Sequence, residues 1–216
     1  MKSGRKDLFD SLNLYAITDR SWLKDSTLYE DTEKILRGGA TFLQLREKDA
    51  SEELFRKEAS ELKELAEKYG VPFVLNDNVR LVKETGADGV HVGQHDMPAG
   101  EVRKIIGEDA ILGVSAQTVE EALKAERDGA DYLGVGAVFT TSTKKDADSV
   151  SIETLKAICS AVSIPVIAIG GITLQNVPEL YGTGIAGVSV ISALYGAEDP
   201  EKAAEEMRKK TERFKK

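Results

Sequence analysis

Residues 85–92 read TGADGVHV, and the phrase returns in three variants: GGATFLQL at 38–45, DGADYLGV at 128–135 and TGIAGVSV at 183–190. Each sets a glycine where a charge-rich helical pattern ends and an apolar strand begins. Glycine accepts the left-handed conformation that terminates a helix. The four phrases introduce every second member of eight strand-like segments, at 12–18, 41–46, 72–76, 89–92, 110–115, 132–136, 165–170 and 187–192. The third and seventh open differently, as GVPFVLN and SIPVIAIG, with proline at the strand's first residue, where its missing N–H is harmless. Amphipathic stretches separate the strands; in 51–68, Leu54, Phe55, Leu62 and Leu65 recur near helical spacing. Strands that are apolar at nearly every position belong to a parallel sheet covered on both faces. Alternating lead-ins over eight βα units predict an α/β fold closed as a (β/α)8 TIM barrel. The alternative, an open doubly wound sheet, needs a dinucleotide fingerprint after its first strand, and LYAITDRSW at 14–22 has none.

The 216 residues read as one barrel domain, with 1–11 an N-terminal extension and 199–216 a terminal helix closing the barrel. A hydrophobic share of 41% supports a real core, and no apolar run reaches the length of a membrane span. The start, MKSGRKDLFD, is charged and lacks the apolar core of a secretory signal, so the expected compartment is the cytoplasm. The single cysteine, Cys159, excludes an internal disulfide framework. A net charge of −8, from 29 basic and 37 acidic residues, argues against a nucleic-acid binder and serves solubility. Oligomeric state stays open, a homo-oligomer included.

A barrel of this kind places function at the C-terminal ends of its strands. The second strand ends QLREK, where Gln44, Arg46 and Lys48 alternate and so project to one side of an extended chain. Either they face the barrel mouth or the strand stops at Leu45 and the rest is a solvated loop. The third ends LNDN, where Asn76, Asp77 and Asn78 suit either a helix N-cap or a polar site. The fourth continues HVGQHDMP, and Asp96 there joins Asp77 as a carboxylate pair suited to Mg²⁺ completed by water and phosphate oxygens. Zinc on His91 and His95 is discounted, because the i, i+4 spacing on a strand-to-loop segment does not put both on one face; His91 also suits a packed, hydrogen-bonded role. Ser115 ends the fifth strand, and either it or Thr118 caps the next helix. After the sixth strand, Thr141, Thr143 and Lys144 read as a phosphate grip, on a stretch from Thr140 to about Val150 long enough for a lid. The seventh and eighth end AIGGIT and VSVISAL, small-residue turns whose amides cradle phosphate at a helix start. Seven of the eight strand ends thus carry groups that suit phosphate or metal.

QLREK, LNDN, GVHVGQHDMP, GVSAQT, GVGAVFTTSTKKDA, AIGGIT and VSVISAL resemble, in order and register, the motifs of thiamine-phosphate synthases, from LYAITDR to SALYGAEDP. The resemblance implies a transferase that joins hydroxymethylpyrimidine diphosphate to thiazole phosphate, giving thiamine phosphate and diphosphate, with Mg²⁺ as cofactor. It implies that Gln44, Leu45, Arg46, Glu47 and Lys48 bind the pyrimidine diphosphate, with Asn76, Ser115 and Lys144. Ser115 and Lys144 would be the groups closest to catalysis. Asp77 and Asp96 would hold the metal, and Thr141, Ser142, Thr143, Gly171, Ile191 and Ser192 the thiazole phosphate. Threonine stands at 140 where relatives often have proline, and Ser142 where they often have an acidic residue. Neither change removes a proposed contact. A related thiazole tautomerase would not need the diphosphate and metal apparatus, and a non-catalytic phosphate sensor would not need the carboxylates. An isomerase or aldolase would want a Lys or Glu inside the barrel, and no strand carries one.

Overall fold

The computed structural model describes residues 4–48, 50–140 and 149–215. The chain runs α1 (Gly4–Ser11), β1 (Leu14–Ile17), α2 (Leu28–Arg37), β2 (Phe42–Leu45), α3 (Glu52–Tyr69), β3 (Phe73–Asn76), α4 (Leu81–Thr85) and β4 (Gly89–Val92). It continues α5 (Ala99–Ile106), β5 (Ile111–Ala116), α6 (Val119–Arg127), β6 (Tyr132–Val135), α7 (Ile152–Ala161), β7 (Val166–Ile169), β8 (Gly187–Val190), α8 (Ser192–Tyr195) and α9 (Pro200–Thr211). The eight strands pair in parallel, in sequence order, and close where Leu14 of β1 meets Val188 of β8. The expected TIM barrel is therefore the fold.

The repeated phrase explains the register. Its second residue takes a positive φ all four times: Gly39 (101°), Gly86 (69°), Gly129 (93°) and Gly184 (92°). A side chain there would strain the backbone, so glycine turns each helix into its strand. The fourth residue then ties the new strand to its predecessor. Thr41, Asp88, Asp131 and Ala186 donate their N–H groups to Leu14, Phe73, Leu112 and Val166 at 2.8 Å. In three of the four the side chain returns the bond: Thr41 Oγ1 accepts from Leu14 N–H at 2.9 Å, Asp88 Oδ2 from Phe73 at 2.8 Å and Asp131 Oδ2 from Leu112 at 2.9 Å. Backbone donors at the bottom of the odd strands are thereby satisfied without water.

Strand alternation builds two cores. Leu14, Ala16, Leu43, Leu45 and Leu75 face outward and pack under the helices. Tyr15, Phe42, Val74, Tyr132 and Ile167 face inward, and Leu12 with Leu8 of α1 plugs the floor. The last helix is stitched to the first strand through buried Asn13. Its Oδ1 accepts from Arg208 Nη1 at 2.6 Å and Thr211 Oγ1 at 2.8 Å, and its Nδ2 donates to the Thr211 carbonyl at 2.8 Å.

Candidate active site

A cavity of about 610 Å³ opens at the C-terminal ends of the strands. From β2 it takes Gln44, Arg46 and Lys48, the alternating inward positions. The intervening Leu45 belongs to the outer core and Glu47 does not line the cavity. Glu47 is instead turned to Arg20, whose Nε donates to its Oε2 at 2.5 Å while Nη2 donates to Glu58 of α3. Burial pushes the Glu47 carboxyl up, and Arg20 opposes that rise. QLREK is thus a two-sided segment, with cations on one face and an anchor on the other.

From the ends of β3 and β4 come Asn76, Asp77 and Asp96. Asp77 is not a helix cap: α4 starts at Leu81 without a side-chain cap. It adopts a left-handed φ of 61°, and its Oδ2 accepts from the Asn76 amide. Asp96 Oδ2 accepts from Gly93 N–H at 2.8 Å. Among the described residues no three His, Cys, Asp or Glu groups come close enough to hold a metal by themselves. Asp77 and Asp96, lining the cavity with Arg46 and Lys48, could hold a Mg²⁺ whose remaining positions water and phosphate oxygens would fill.

Ser115 of β5 also lines the cavity, and it is not the cap of α6, since Thr118 accepts the Glu121 N–H. A file of polar side chains runs down from it. His91 Nε2 lies 3.0 Å from Ser115 Oγ, His91 Nδ1 lies 3.0 Å from the Tyr132 hydroxyl, and the Tyr132 and Tyr15 hydroxyls are 2.8 Å apart. Both tyrosines are buried, which drives their ionisation well above the ordinary phenol value. With Phe42 they form an aromatic cluster inside the barrel, ring centroids 4.5–5.9 Å apart, and of the three Tyr15 lines the cavity. His95 lines the mouth of the same cavity but stands apart from this file. Two buried polar atoms of the inward-facing layer, Gln44 Nε2 and Ser189 Oγ, have no hydrogen-bond partner among the described residues.

The wall opposite the carboxylates comes from β7 and β8: Gly170, Gly171, Ile191 and Ser192. Gly171 holds φ 64°, and a Cβ there would fall on the Thr140 carbonyl oxygen and 2.8 Å from that of Phe139. Only glycine fits that turn. Thr141, Ser142, Thr143 and Lys144, with most of the expected lid, lie outside the described residues. Tyr15, Tyr132 and Ser189 escaped the sequence reading because each sits inside an apolar strand. Their signal is inward parity with Gln44, which needs the strand register.

A family model described as thiamine monophosphate synthase matches residues 14–194. A thiamine-phosphate synthase of Clostridium tetani is 54% identical over 194 residues, covering 90% of this chain and 93% of the relative. One from Methanobrevibacter smithii is 49% identical over 198 residues, covering 92% and 94%. The solved thiamine phosphate pyrophosphorylase of Pyrococcus furiosus aligns with a TM-score of 0.89 at 42% identity, over 96% of this chain and 98% of that one. A solved 3-hexulose-6-phosphate synthase, with a TM-score of 0.64 at 17% identity, shares the fold alone. The chain belongs to the thiamine monophosphate synthase family.

Proposed function

We propose that the protein is the transferase that makes thiamine phosphate, joining hydroxymethylpyrimidine diphosphate to hydroxyethylthiazole phosphate and releasing diphosphate. One observation carries the reading to this cavity: Arg46 and Lys48 share it with Asp77 and Asp96. Cations alone suit an anion, and carboxylates alone suit a cation. Both together suit a diphosphate that arrives with its metal. Gln44, Asn76, Ser115 and Lys144 would hold the pyrimidine diphosphate beside them. Leu45 and Glu47 would contribute through backbone and anchoring. Gly171, Ile191 and Ser192, with Thr141, Ser142 and Thr143, would hold the thiazole phosphate at the opposite wall.

The chemistry asks for no protein nucleophile. The bond between the pyrimidine methylene carbon and the diphosphate oxygen breaks with its electron pair leaving on oxygen, and the aminopyrimidine ring shares the positive charge left on carbon. The thiazole nitrogen lone pair then forms the new C–N bond. Mg²⁺ held by Asp77 and Asp96 would supply charge neutralisation to the departing diphosphate. Arg46 and Lys48 bind and orient that group, and the opposed walls hold two anions at reacting distance against their repulsion. The apolar part of the lining, Tyr15, Ile17, Ile167 and Ile169, would limit water around the cation. Partners are therefore small molecules, and no helix among the described residues is long and apolar enough to cross a membrane. The cytoplasm is the setting we propose, supported by the lone, half-buried Cys159.

The test is formation of thiamine phosphate from the two substrates, with Mg²⁺ or with EDTA, by wild type and by Asp77→Ala. Product that needs metal and falls at least a hundredfold in the variant is expected, a loss of roughly 2.7 kcal/mol or more in the barrier. No product from folded wild type would sink the synthase reading and leave thiazole tautomerisation or simple ligand binding to be assayed. Product indifferent to EDTA would remove the metal's part.

A further inference from the structure

We propose that Tyr15 and Tyr132 hold His91 as its neutral Nε2–H tautomer, and so oblige Ser115 to be a hydrogen-bond donor toward the substrate. The closed end of the file fixes its direction. Tyr15 is 1% exposed, its ring lies against Phe42, and its hydroxyl bonds only to Tyr132 among the described residues. If the file ran downward, from Ser115 to His91 to Tyr132 to Tyr15, the last O–H would be a buried donor with no acceptor. An oxygen that merely accepts too few bonds is the cheaper defect. The hydrogens therefore point upward.

Tyr15 donates to Tyr132, and Tyr132 donates to His91 Nδ1 across 3.0 Å. A ring nitrogen that accepts cannot carry the proton, which leaves it on Nε2. Nε2–H donates to Ser115 Oγ across 3.0 Å. The Ser115 hydrogen then has no acceptor within the file and points into the cavity that Ser115 lines. The strands keep this file clear of other atoms. A Cβ on Gly113 would fall on the Tyr132 hydroxyl end and 2.5 Å from His91 Nδ1, and one on Gly134 would come 3.1 Å from His91 Cε1.

The deduction about substrate rests on the synthase reading: the donor would meet an acceptor atom of the pyrimidine diphosphate. Ser115 touches substrate; His91, Tyr132 and Tyr15 are positioning residues that set its polarity. The tautomer itself can be read without substrate. The chain has 2 histidines, so nitrogen NMR of histidine-labelled protein gives few signals, and His91→Gln assigns them. Expected for ligand-free wild type is an unprotonated Nδ1 and a protonated Nε2. Tyr15→Phe should keep that form, because Tyr132 can still donate. Tyr132→Phe should lose the preference and lower kcat about tenfold, the worth of one ordinary hydrogen bond, with KM for thiazole phosphate unchanged. Protonation on Nδ1 in wild type would overturn the proposal, as would a Tyr132→Phe protein that folds and keeps both tautomer and kcat. If Tyr132→Phe does not fold, the wild-type and Tyr15→Phe spectra decide the direction alone. A wild type that makes no thiamine phosphate would overturn the reaction while the spectrum still judged the file.

Discussion

Arg20→Ala should unfasten QLREK from behind. The Arg20 guanidinium is the ion-pair partner of both Glu47 and Glu58, whose side chains are 3% and 12% exposed. Each of these carboxylates also has a buried oxygen with no partner among the described residues, Glu47 Oε1 and Glu58 Oε2. Removing one member of a fully buried pair costs about 3–5 kcal/mol. Arg20 itself is 43% exposed, so water replaces part of what it gave, and about 2 kcal/mol is the expected loss. The loss should depend on pH. Burial already raises the Glu47 carboxyl above its ordinary value and Arg20 holds it down, so the variant raises it further. The folded state then keeps a proton that the unfolded chain has released. Stability falls as pH rises through that window, making the deficit larger near about pH 8 than near about pH 5. Urea unfolding at both values measures it. Arg46 and Lys48 flank the anchor and line the cavity, so KM for the pyrimidine diphosphate should rise several-fold more than KM for the thiazole phosphate. A deficit below about 0.5 kcal/mol at both pH values, with both KM values unchanged, would mean that Arg20 is an ordinary surface ion pair and refute the anchor.

Gly113→Ala should lower stability by about 1–3 kcal/mol, because the added methyl meets Tyr132 and His91; an unchanged melting temperature would contradict the close packing of that file. Ser189→Ala removes a buried hydroxyl that has no partner among the described residues, so urea unfolding should shift by less than about 0.5 kcal/mol. A loss well above that would reveal a bond this geometry lacks. Cys159 should alkylate slowly at neutral pH and faster toward alkaline pH, since burial pushes its thiol up to about 11; rapid labelling of the folded protein near neutrality would be the contrary result.

The barrel was legible because its punctuation is chemical. Glycine at 39, 86, 129 and 184 has one backbone reason to be there, and all four meet it. The aspartates at 88 and 131 in the same phrases were legible as residues but not as acceptors for the neighbouring strand, since that bond joins positions 15 and 19 apart in sequence. Cavity-lining residues projecting from strand ends were legible, as Gln44, Arg46 and Lys48 were, from polar groups interrupting an apolar pattern. The same alternation turns the side chains between them away: Leu45 packs in the outer core and Glu47 accepts from Arg20, so a part for either at the cavity, which only the family resemblance implied, would run through the backbone or through anchoring. Asp77 and Ser115 each had a plausible capping role by type. Only the start of α4 at Leu81 and the cap at Thr118 remove it. Tyr15 and Tyr132 were invisible for the opposite reason. A tyrosine in a buried strand looks like bulk, and its hydroxyl matters only once a partner 117 positions away is 2.8 Å from it.

Closure of the ring between Leu14 and Val188 sets an order of events during synthesis. The ribosome delivers Arg46 and Lys48 after β2 and the carboxylates after β3 and β4 early, but β8 and the cavity wall it carries, with Ile191 and Ser192, come near the end. Until then β1 is an open sheet edge, the kind of surface that recruits wrong partners. A chain interrupted before β8 cannot be a weaker version of the enzyme. It has neither the last wall of the cavity nor the strand that stops its first edge from pairing elsewhere.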